Sequence, residues 1–208
     1  MTATSRIFAT ITAVIGWFAV IAQLCLTIQN RTMPVAAAVL QFFSYFTILC
    51  NIIVALGFSS IARNGNGSWS RFFIKPGTQT AMTMYIIVVG AVYNLVLRDV
   101  WSPQGLQKLV DELLHSVIPS LTLIFWLVFT PKKELQWKDA FPWLIFPLCY
   151  IVYIAIRGAI TGLYPYPFTD VTVLGYPRAI ANGGILLVVF LCLSLVLIGI
   201  GKWMSPGK

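Results

Sequence analysis

Charged residues are scarce in this sequence. Of its 208 residues only 10% are charged and 59% are hydrophobic, whereas a soluble domain carries about 25% charged residues. So few charges cannot cover a water-facing surface of this size. The apolar excess therefore excludes a soluble globular domain and requires lipid as the solvent.

Residue types that ligate metals are scarce as well. There is one histidine, His115, and there are six acidic residues. A single histidine excludes an HExxH zinc site and a haem with two histidine ligands. The four cysteines stand alone in separate apolar runs and form no CxxC, so we expect them to be small core residues: Cys25, Cys50, Cys149 and Cys192. We expect no metal and no cofactor.

The basic residues are placed as in a membrane protein. The 14 Lys and Arg residues give a net charge of +8 and sit in short gaps between apolar runs. Nucleic-acid binding would instead need them clustered with aromatic residues on one face. Membrane topology explains their placement better, and no nucleic-acid partner is expected.

Six apolar runs are long enough to cross a bilayer core of about 30 Å as helices. They cover residues 7–28, 35–62, 78–97, 113–129, 140–160 and 180–200. Helices are required because lipid cannot satisfy open backbone groups. All the loops are short, so we predict an all-α membrane protein, a single bundle of six transmembrane helices over residues 1–208.

The two sides of this bundle differ in basic charge. The side of both termini carries nine basic residues, Arg6, Arg63, Arg71, Lys75, Lys132, Lys133, Lys138, Lys202 and Lys208. The other side carries five, Arg31, Arg98, Lys108, Arg157 and Arg178. Since cytoplasmic loops are enriched in Lys and Arg, we expect both termini on the cytoplasmic side. The polar segments 98–112 and 157–178 then form an outer mouth.

Polar residues inside the second run are the first candidates for function, because polar groups are costly in lipid. Four of them fall within an arc of about 120° on one predicted helical face, namely Gln41, Ser44, Thr47 and Asn51. Thr47 lies near the middle of the predicted span. Such a stripe also fits a plain packing role, since these side chains hydrogen-bond between membrane helices.

The lone histidine lies near the outer end of the fourth run. An ionisable side chain in a membrane needs a partner. Asp111 precedes His115 by four residues, so it either holds the imidazole in one tautomer or is a solvated residue of the mouth. With an HExxH zinc site and a two-histidine haem excluded, the chemistry that remains is a hydroxyl nucleophile with a histidine base. Thr47 and His115 are its minimal set.

Two arginines lie at the predicted outer ends of the third and fifth helices. Arg98 follows Asn94 at i+4, and Arg157 follows Tyr150 and Tyr153 at i+7 and i+4. Each arginine either snorkels to the interface or binds a carboxylate or phosphate at the mouth.

Three segments carry a resemblance to a known family. The segment Gln41-Phe-Phe-Ser-Tyr-Phe-Thr47-Ile-Leu-Cys-Asn51 resembles a helix of the androgen-induced membrane hydrolases, and Leu-Leu-His115-Ser-Val-Ile-Pro119 is similar to that family's histidine helix. The segment Tyr164-Pro-Tyr-Pro-Phe-x-Asp170 resembles the Pro-Tyr-rich loop of its bacterial branch. The likeness covers most of the chain.

The resemblance implies a polytopic threonine hydrolase of fatty acid esters of hydroxy fatty acids, with Thr47 and His115 as its catalytic residues. It also implies a bacterial inner membrane, with the active-site mouth facing the periplasm. The expected partners are membrane lipids and an acyl-ester lipid whose exact identity stays open, as does the oligomeric state.

The expected mechanism assigns roles to further residues. His115 would deprotonate Thr47, and an acyl-threonine would form and be hydrolysed. The oxyanion would need donors, for which Asn51, Asn94 or Tyr93 are candidates. The two arginines at the mouth, Arg98 and Arg157, would hold an anionic head group.

Two other classes compete with this hydrolase. In a small transporter or channel, the midplane polar groups would bind a solute, and broken helices and inverted repeats are common. The sequence indicates neither feature. In a non-catalytic membrane partner protein, Thr47 and His115 would be packing residues, and their replacement would change only stability.

Overall fold

The computed structural model describes residues 2–63, 67–100 and 102–205. This part of the chain is all-α and contains no β-strand. Its described residues include six helical segments long and apolar enough to cross a membrane: Ala3–Gln29, Phe46–Arg63, Pro76–Leu97, Gly105–Phe129, Trp137–Thr161 and Val171–Met204. The predicted all-α class and the six candidate spans are therefore confirmed. The chain forms two compact units, Met1–Glu134 and Leu135–Lys208.

The first unit contains the first four candidate spans. Its helices are α1 (Ala3–Gln29), α2 (Val35–Phe42), α3 (Phe46–Arg63), α4 (Ser68–Ile74), α5 (Pro76–Val92), α6 (Gly105–Glu112) and α7 (Ile118–Phe129). A π-helical turn, Tyr93–Leu97, extends α5, and a second one, Leu113–Val117, joins α6 to α7.

Helix α1 has one exposed apolar face and one buried face. Large apolar side chains at intervals of three and four residues are exposed on the first face, Ile7, Ile11, Val14, Phe18 and Ile21. Small buried residues form the second face, which packs on α3. A Cβ added at Gly16 would lie 3.2 Å from Ala55 Cβ, so the two helices approach as closely as small residues allow in membrane packing.

The second span is broken, and its predicted continuity over 35–62 is wrong. Helix α2 ends at Phe42 and α3 begins at Phe46. Between them Ser44 N donates to Gln41 O at 3.0 Å, an i−3 bond that replaces the α-helical i−4 bond. The Ser44 hydroxyl also donates to Leu40 O at 2.7 Å, and such back-bonding bends helices. The stripe of four polar residues therefore does not lie on one straight helix, and Thr47 is the second residue of α3 instead of a mid-helix residue.

The fourth span starts earlier than the sequence pattern predicts. Helix α6 begins at Gly105, eight residues before the predicted start at Leu113. Its polar residues predict a loop of the outer mouth, but its apolar side chains follow helical spacing. Asp111 and Glu112 therefore belong to a helix, and the described residues of 98–112 that lie outside α6 are 98–100 and 102–104.

A buried lysine closes the end of α7. Lys132 Nζ donates to Leu127 O at 3.0 Å and to Thr130 O at 2.9 Å, and it lies 4.7 Å from the centre of the Trp126 ring. Trp126 is itself fully buried and donates from Nε1 to Thr80 Oγ1 at 2.8 Å. Burial lowers the pKa of Lys132. The lysine thus satisfies carbonyl groups that the helix end leaves open.

The second unit contains the last two spans, which are longer than predicted. Its helices are a 3₁₀ turn (Trp137–Asp139), α8 (Ala140–Trp143), α9 (Ile145–Thr161), a second 3₁₀ turn (Pro167–Thr169) and α10 (Val171–Met204). The predicted start of the sixth span at residue 180 is wrong, because Asp170 caps α10 by accepting from Thr172 N at 2.9 Å. This hydrogen bonding with Thr172 lowers the pKa of Asp170. Helix α10 is kinked at Gly175, where φ is 74°.

Most cysteines do not lie in the core. Only Cys50 is buried, whereas Cys25, Cys149 and Cys192 are exposed. The expectation that all four are core residues is wrong for these three. In a membrane, an apolar thiol is as compatible with lipid as with the interior.

Candidate active site

Two π-helical turns form the centre of the candidate site. One turn, Tyr93–Leu97, ends the third span, and the other, Leu113–Val117, lies within the fourth. The two turns contact each other. A π-turn inserts a residue into a helix and is found disproportionately at functional sites. Here the first turn supplies Tyr93 and Asn94, and the second supplies His115.

His115 is held by Asp111, which lies one turn earlier in the same span. Its Nδ1 lies 2.9 Å from Asp111 O and 3.2 Å from Asp111 Oδ1. The two side chains are 14% and 8% exposed. Because both neighbours of Nδ1 are acceptors, the neutral imidazole carries its proton on Nδ1 and its lone pair on Nε2. This is the tautomer that a general base of the triad type requires.

Tyr93 supports both members of this pair. Its ring stacks on the imidazole of His115, with centroids 4.0 Å apart and planes 13° apart. Its hydroxyl donates a hydrogen bond to Asp111 Oδ2. Both oxygens of the Asp111 carboxylate are thereby engaged, Oδ2 by the tyrosine and Oδ1 by the histidine.

Gly90 allows the third span to reach the histidine backbone. A Cβ added there would lie 3.0 Å from His115 O and 3.3 Å from Pro119 Cβ, closer than ordinary contacts. Next to this point Asn94 Nδ2 donates to Gly90 O at 2.8 Å and to His115 O at 3.3 Å. The carbonyl of His115 is thus tied to the third span.

Asn51 connects the helix of Thr47 to the histidine turn. It is fully buried, and its Nδ2 donates to Thr47 O at 2.8 Å and to Leu114 O at 3.3 Å. Leu114 directly precedes His115. One amide nitrogen therefore joins the backbone of the predicted nucleophile to the residue before the predicted base. Thr47 is half-buried at the N-terminal end of α3, where the helix dipole favours negative charge.

The three predicted oxyanion donors are all engaged with protein acceptors. Asn51 and Asn94 each spend their amide nitrogen on two carbonyl groups, and Tyr93 gives its hydroxyl proton to Asp111. In this conformation none directs an N–H or O–H to a substrate oxyanion. Their common effect is to position the backbone and the carboxylate around His115.

Arg98 is paired within the protein. Its guanidinium lies 2.8 Å from Glu112 Oε1 and donates to Glu112 Oε2 and to Asn94 Oδ1, each at 2.9 Å. The hydrogen bond with Glu112 raises the pKa of Arg98. Ser116 joins the pair by donating to Glu112 Oε2 at 2.7 Å. An anionic head group could reach Arg98 only in competition with Glu112.

Arg157, the other predicted head-group residue, belongs to the second unit. Its Nη1 donates to Leu163 O at 3.0 Å, just beyond the C-terminal end of α9. This contact satisfies a carbonyl near a helix end and fits an arginine that snorkels.

The sequence signals contacts within a span but not the contacts between spans. The spacing of Glu112 and Ser116 by four residues signals their hydrogen bond, and the same spacing signals the pairing of Asp111 with His115. No sequence signal indicates that Tyr93 bonds Asp111 or that Gly90 faces His115, because both contacts join different helices.

The comparisons with known proteins add no family. No protein-family model, no curated protein and no solved structure matches this chain. Within the described ranges, no group of three or more His, Cys, Asp or Glu side chains could hold a metal ion. The candidate site therefore depends on its own geometry.

Proposed function

We propose that this protein is an intramembrane hydrolase of lipid acyl esters, with Thr47 as nucleophile and His115 as base. The observation that carries the proposal is the order of contacts from Tyr93 through Asp111 to Nδ1 of His115. This order leaves Nε2 as the proton acceptor. Asn51 supports the proposal, because its amide nitrogen bonds Thr47 O, one turn back in α3, and Leu114 O, next to His115.

The reaction proceeds in two steps. His115 Nε2 takes the proton of the Thr47 hydroxyl as Oγ1 attacks the ester carbonyl, and the same proton then passes to the leaving alcohol. An acyl-threonine remains. Water then attacks its carbonyl, His115 again relays the proton, and the fatty acid leaves with Thr47 restored. Asp111 stabilises the positive charge that His115 carries in between.

The substrate class follows from the surroundings of the site. The neighbouring helices are apolar and carry exposed apolar side chains, which suits an acyl chain better than a soluble ester. The resemblance to the androgen-induced membrane hydrolases suggests a fatty acid ester. The proposed partners are thus membrane lipids, without a metal or a nucleic acid.

The direct test is to trap the acyl-threonine. Purified full-length protein in lipid nanodiscs is mixed with a p-nitrophenyl ester of a fatty acid, quenched in acid and digested. We expect a peptide containing residue 47 to gain the mass of the acyl group, and a fluorophosphonate to block this gain. Acyl transfer to any other residue, or none at all, would contradict the proposal.

The helix break between Phe42 and Phe46 favours a second candidate, a small transporter. Broken helices expose backbone groups to a solute in many transporters. The sequence pattern does not indicate this break, and with it the chain has one of the two features that are common in transporters. The trapping experiment separates the two, because a transporter forms no acyl-threonine.

We also propose that both termini face the cytoplasm, with the π-turns near the periplasmic side of a bacterial inner membrane. The nine-to-five distribution of basic residues supports this orientation. Alkaline phosphatase fused after residue 208 should be inactive in bacterial cells, and the same enzyme fused after residue 99 should be active. The opposite pattern would reverse the topology.

A further inference from the structure

Among the described residues, one buried oxygen on the helix of the candidate nucleophile has no hydrogen-bond donor. Asn51 is 0% exposed, and among the described residues its Oδ1 accepts no hydrogen bond. An unsatisfied buried acceptor costs on the order of 1–3 kcal/mol. Such an atom in a site is a mark of a ligand or a water that binds there.

The orientation of this amide is fixed by its neighbours. The other end of the side chain contacts two carbonyl oxygens, Thr47 O and Leu114 O. Only a nitrogen can donate to both, so the amide cannot be turned around to satisfy Oδ1. The unbonded atom of the Asn51 side chain is therefore an acceptor, and its partner must be a donor.

Water is the donor that the proposed reaction requires at this position. Hydrolysis of an acyl-threonine consumes one water, and lipid supplies none from the apolar side. Such a water must lie near the Thr47 ester and near His115, and Asn51 is the side chain that bonds the backbone of Thr47 and of the residue before His115. We infer that Asn51 Oδ1 binds and orients the hydrolytic water.

The inference rests on the proposed function and assigns Asn51 to its second step. The water donates a hydrogen bond to Asn51 Oδ1. It transfers its other proton to His115 Nε2 as its oxygen attacks the acyl carbon. The bond from that carbon to Thr47 Oγ1 breaks, and His115 returns the proton to Oγ1. The products are a fatty acid and free Thr47, so Asn51 is a positioning residue for water and is not consumed.

The test separates the two steps of the reaction. A p-nitrophenyl fatty acid ester is mixed rapidly with the full-length protein in nanodiscs. The burst of p-nitrophenol measures acylation, and the later steady state measures deacylation. In Asn51→Leu we expect the steady state to slow roughly a hundredfold relative to the burst, because a misplaced reactant loses about this factor. Hydroxylamine, which needs no oriented water, should release the acyl group from the variant at the wild-type rate.

Two variants serve as controls. Asn51→Asp loses the nitrogen that bonds Thr47 O and Leu114 O but keeps an acceptor oxygen for the water. Because of that oxygen, its ratio of deacylation to acylation should stay near that of wild type. Ser60→Ala removes a buried hydroxyl on the same helix that donates to Leu56 O at 2.9 Å within that helix, and it should leave both steps unchanged. A purely structural role of Asn51 would slow both steps alike in both Asn51 variants and would overturn the inference.

A measurement on the wild type covers the case that Asn51→Leu does not fold. A structure of the full chain in nanodiscs that resolves water should place a water within hydrogen-bond distance of Asn51 Oδ1. A protein donor on that oxygen would overturn the inference. Failure of the proposed function looks different, because then no burst and no acyl-threonine form in any variant, the wild type included.

Discussion

Thr47→Ala and His115→Ala should each reduce ester hydrolysis by about a thousandfold or more, and the double variant should lose little beyond either single one. The reason is that a nucleophile and its base act as one unit, so removing either abolishes the same step. If the two residues contributed independently, the fold losses of the single variants would instead multiply in the double variant. The measurement is kcat/KM for a fatty acid ester in nanodiscs, for the two single variants and the pair.

Matched controls separate chemistry from packing. Thr122→Val removes a buried threonine hydroxyl that donates to Ile118 O at 2.8 Å within its own helix, and it should keep hydrolysis within about threefold of wild type. Thr47→Ser retains a hydroxyl and should recover part of the activity. Turnover that persists in both Thr47→Ala and His115→Ala would refute the mechanism. Loss of folding in these variants, with no loss of activity per folded molecule, would indicate packing residues.

Much of this fold follows from hydropathy alone. A span in lipid needs a continuous apolar helix. The apolar side chains exposed on α1, Ile7, Ile11 and Val14, follow helical spacing. The boundaries are harder to predict, because a helix can continue with polar residues beyond the apolar core of a membrane, where the sequence pattern predicts a loop. Helix α6 illustrates this, since Asp111 and Glu112 continue the helix through contacts that a window of sequence cannot contain.

The break in the second span has a local cause that hydropathy does not register. Ser44 bonds its own backbone at Leu40 O, and the helix turns there although the surrounding residues are apolar. The consequence for the site is large. Thr47 moves from the predicted mid-helix position to the N-terminal end of α3, where backbone dipoles favour developing negative charge.

The site itself was predictable only within one helix. Asp111 and His115 share a face because they are four residues apart, and the sequence indicates this pair. Tyr93 and Asn51 reach the pair across helix interfaces, and their partners depend on the π-turns and on the close approach at Gly90. The sequence therefore indicates these residues as polar candidates near the site, but it does not indicate their contacts with Asp111 and with Leu114 O.

Asp111→Asn should lower kcat/KM roughly a hundredfold while leaving the protein folded. The change removes the charge that stabilises the imidazolium of His115 but keeps the shape of the side chain. In catalytic triads the same change costs about 10⁴-fold because the histidine adopts the wrong tautomer. Here the carbonyl Asp111 O lies 2.9 Å from Nδ1 and remains to hold the proton there, so the expected loss is smaller.

Tyr93→Phe tests the same chain of contacts one step further out. It keeps the ring that stacks on His115 and removes only the hydrogen bond to Asp111, so we expect a loss of about tenfold, in line with one hydrogen bond to a charged group. The rates are compared with melting temperatures measured in the same nanodiscs. A merely structural Asp111 would change the melting temperature and leave kcat/KM per folded molecule intact. An Asp111→Asn variant within about twofold of wild-type activity would remove the carboxylate from the mechanism, and Nδ1 would then be held by the backbone alone.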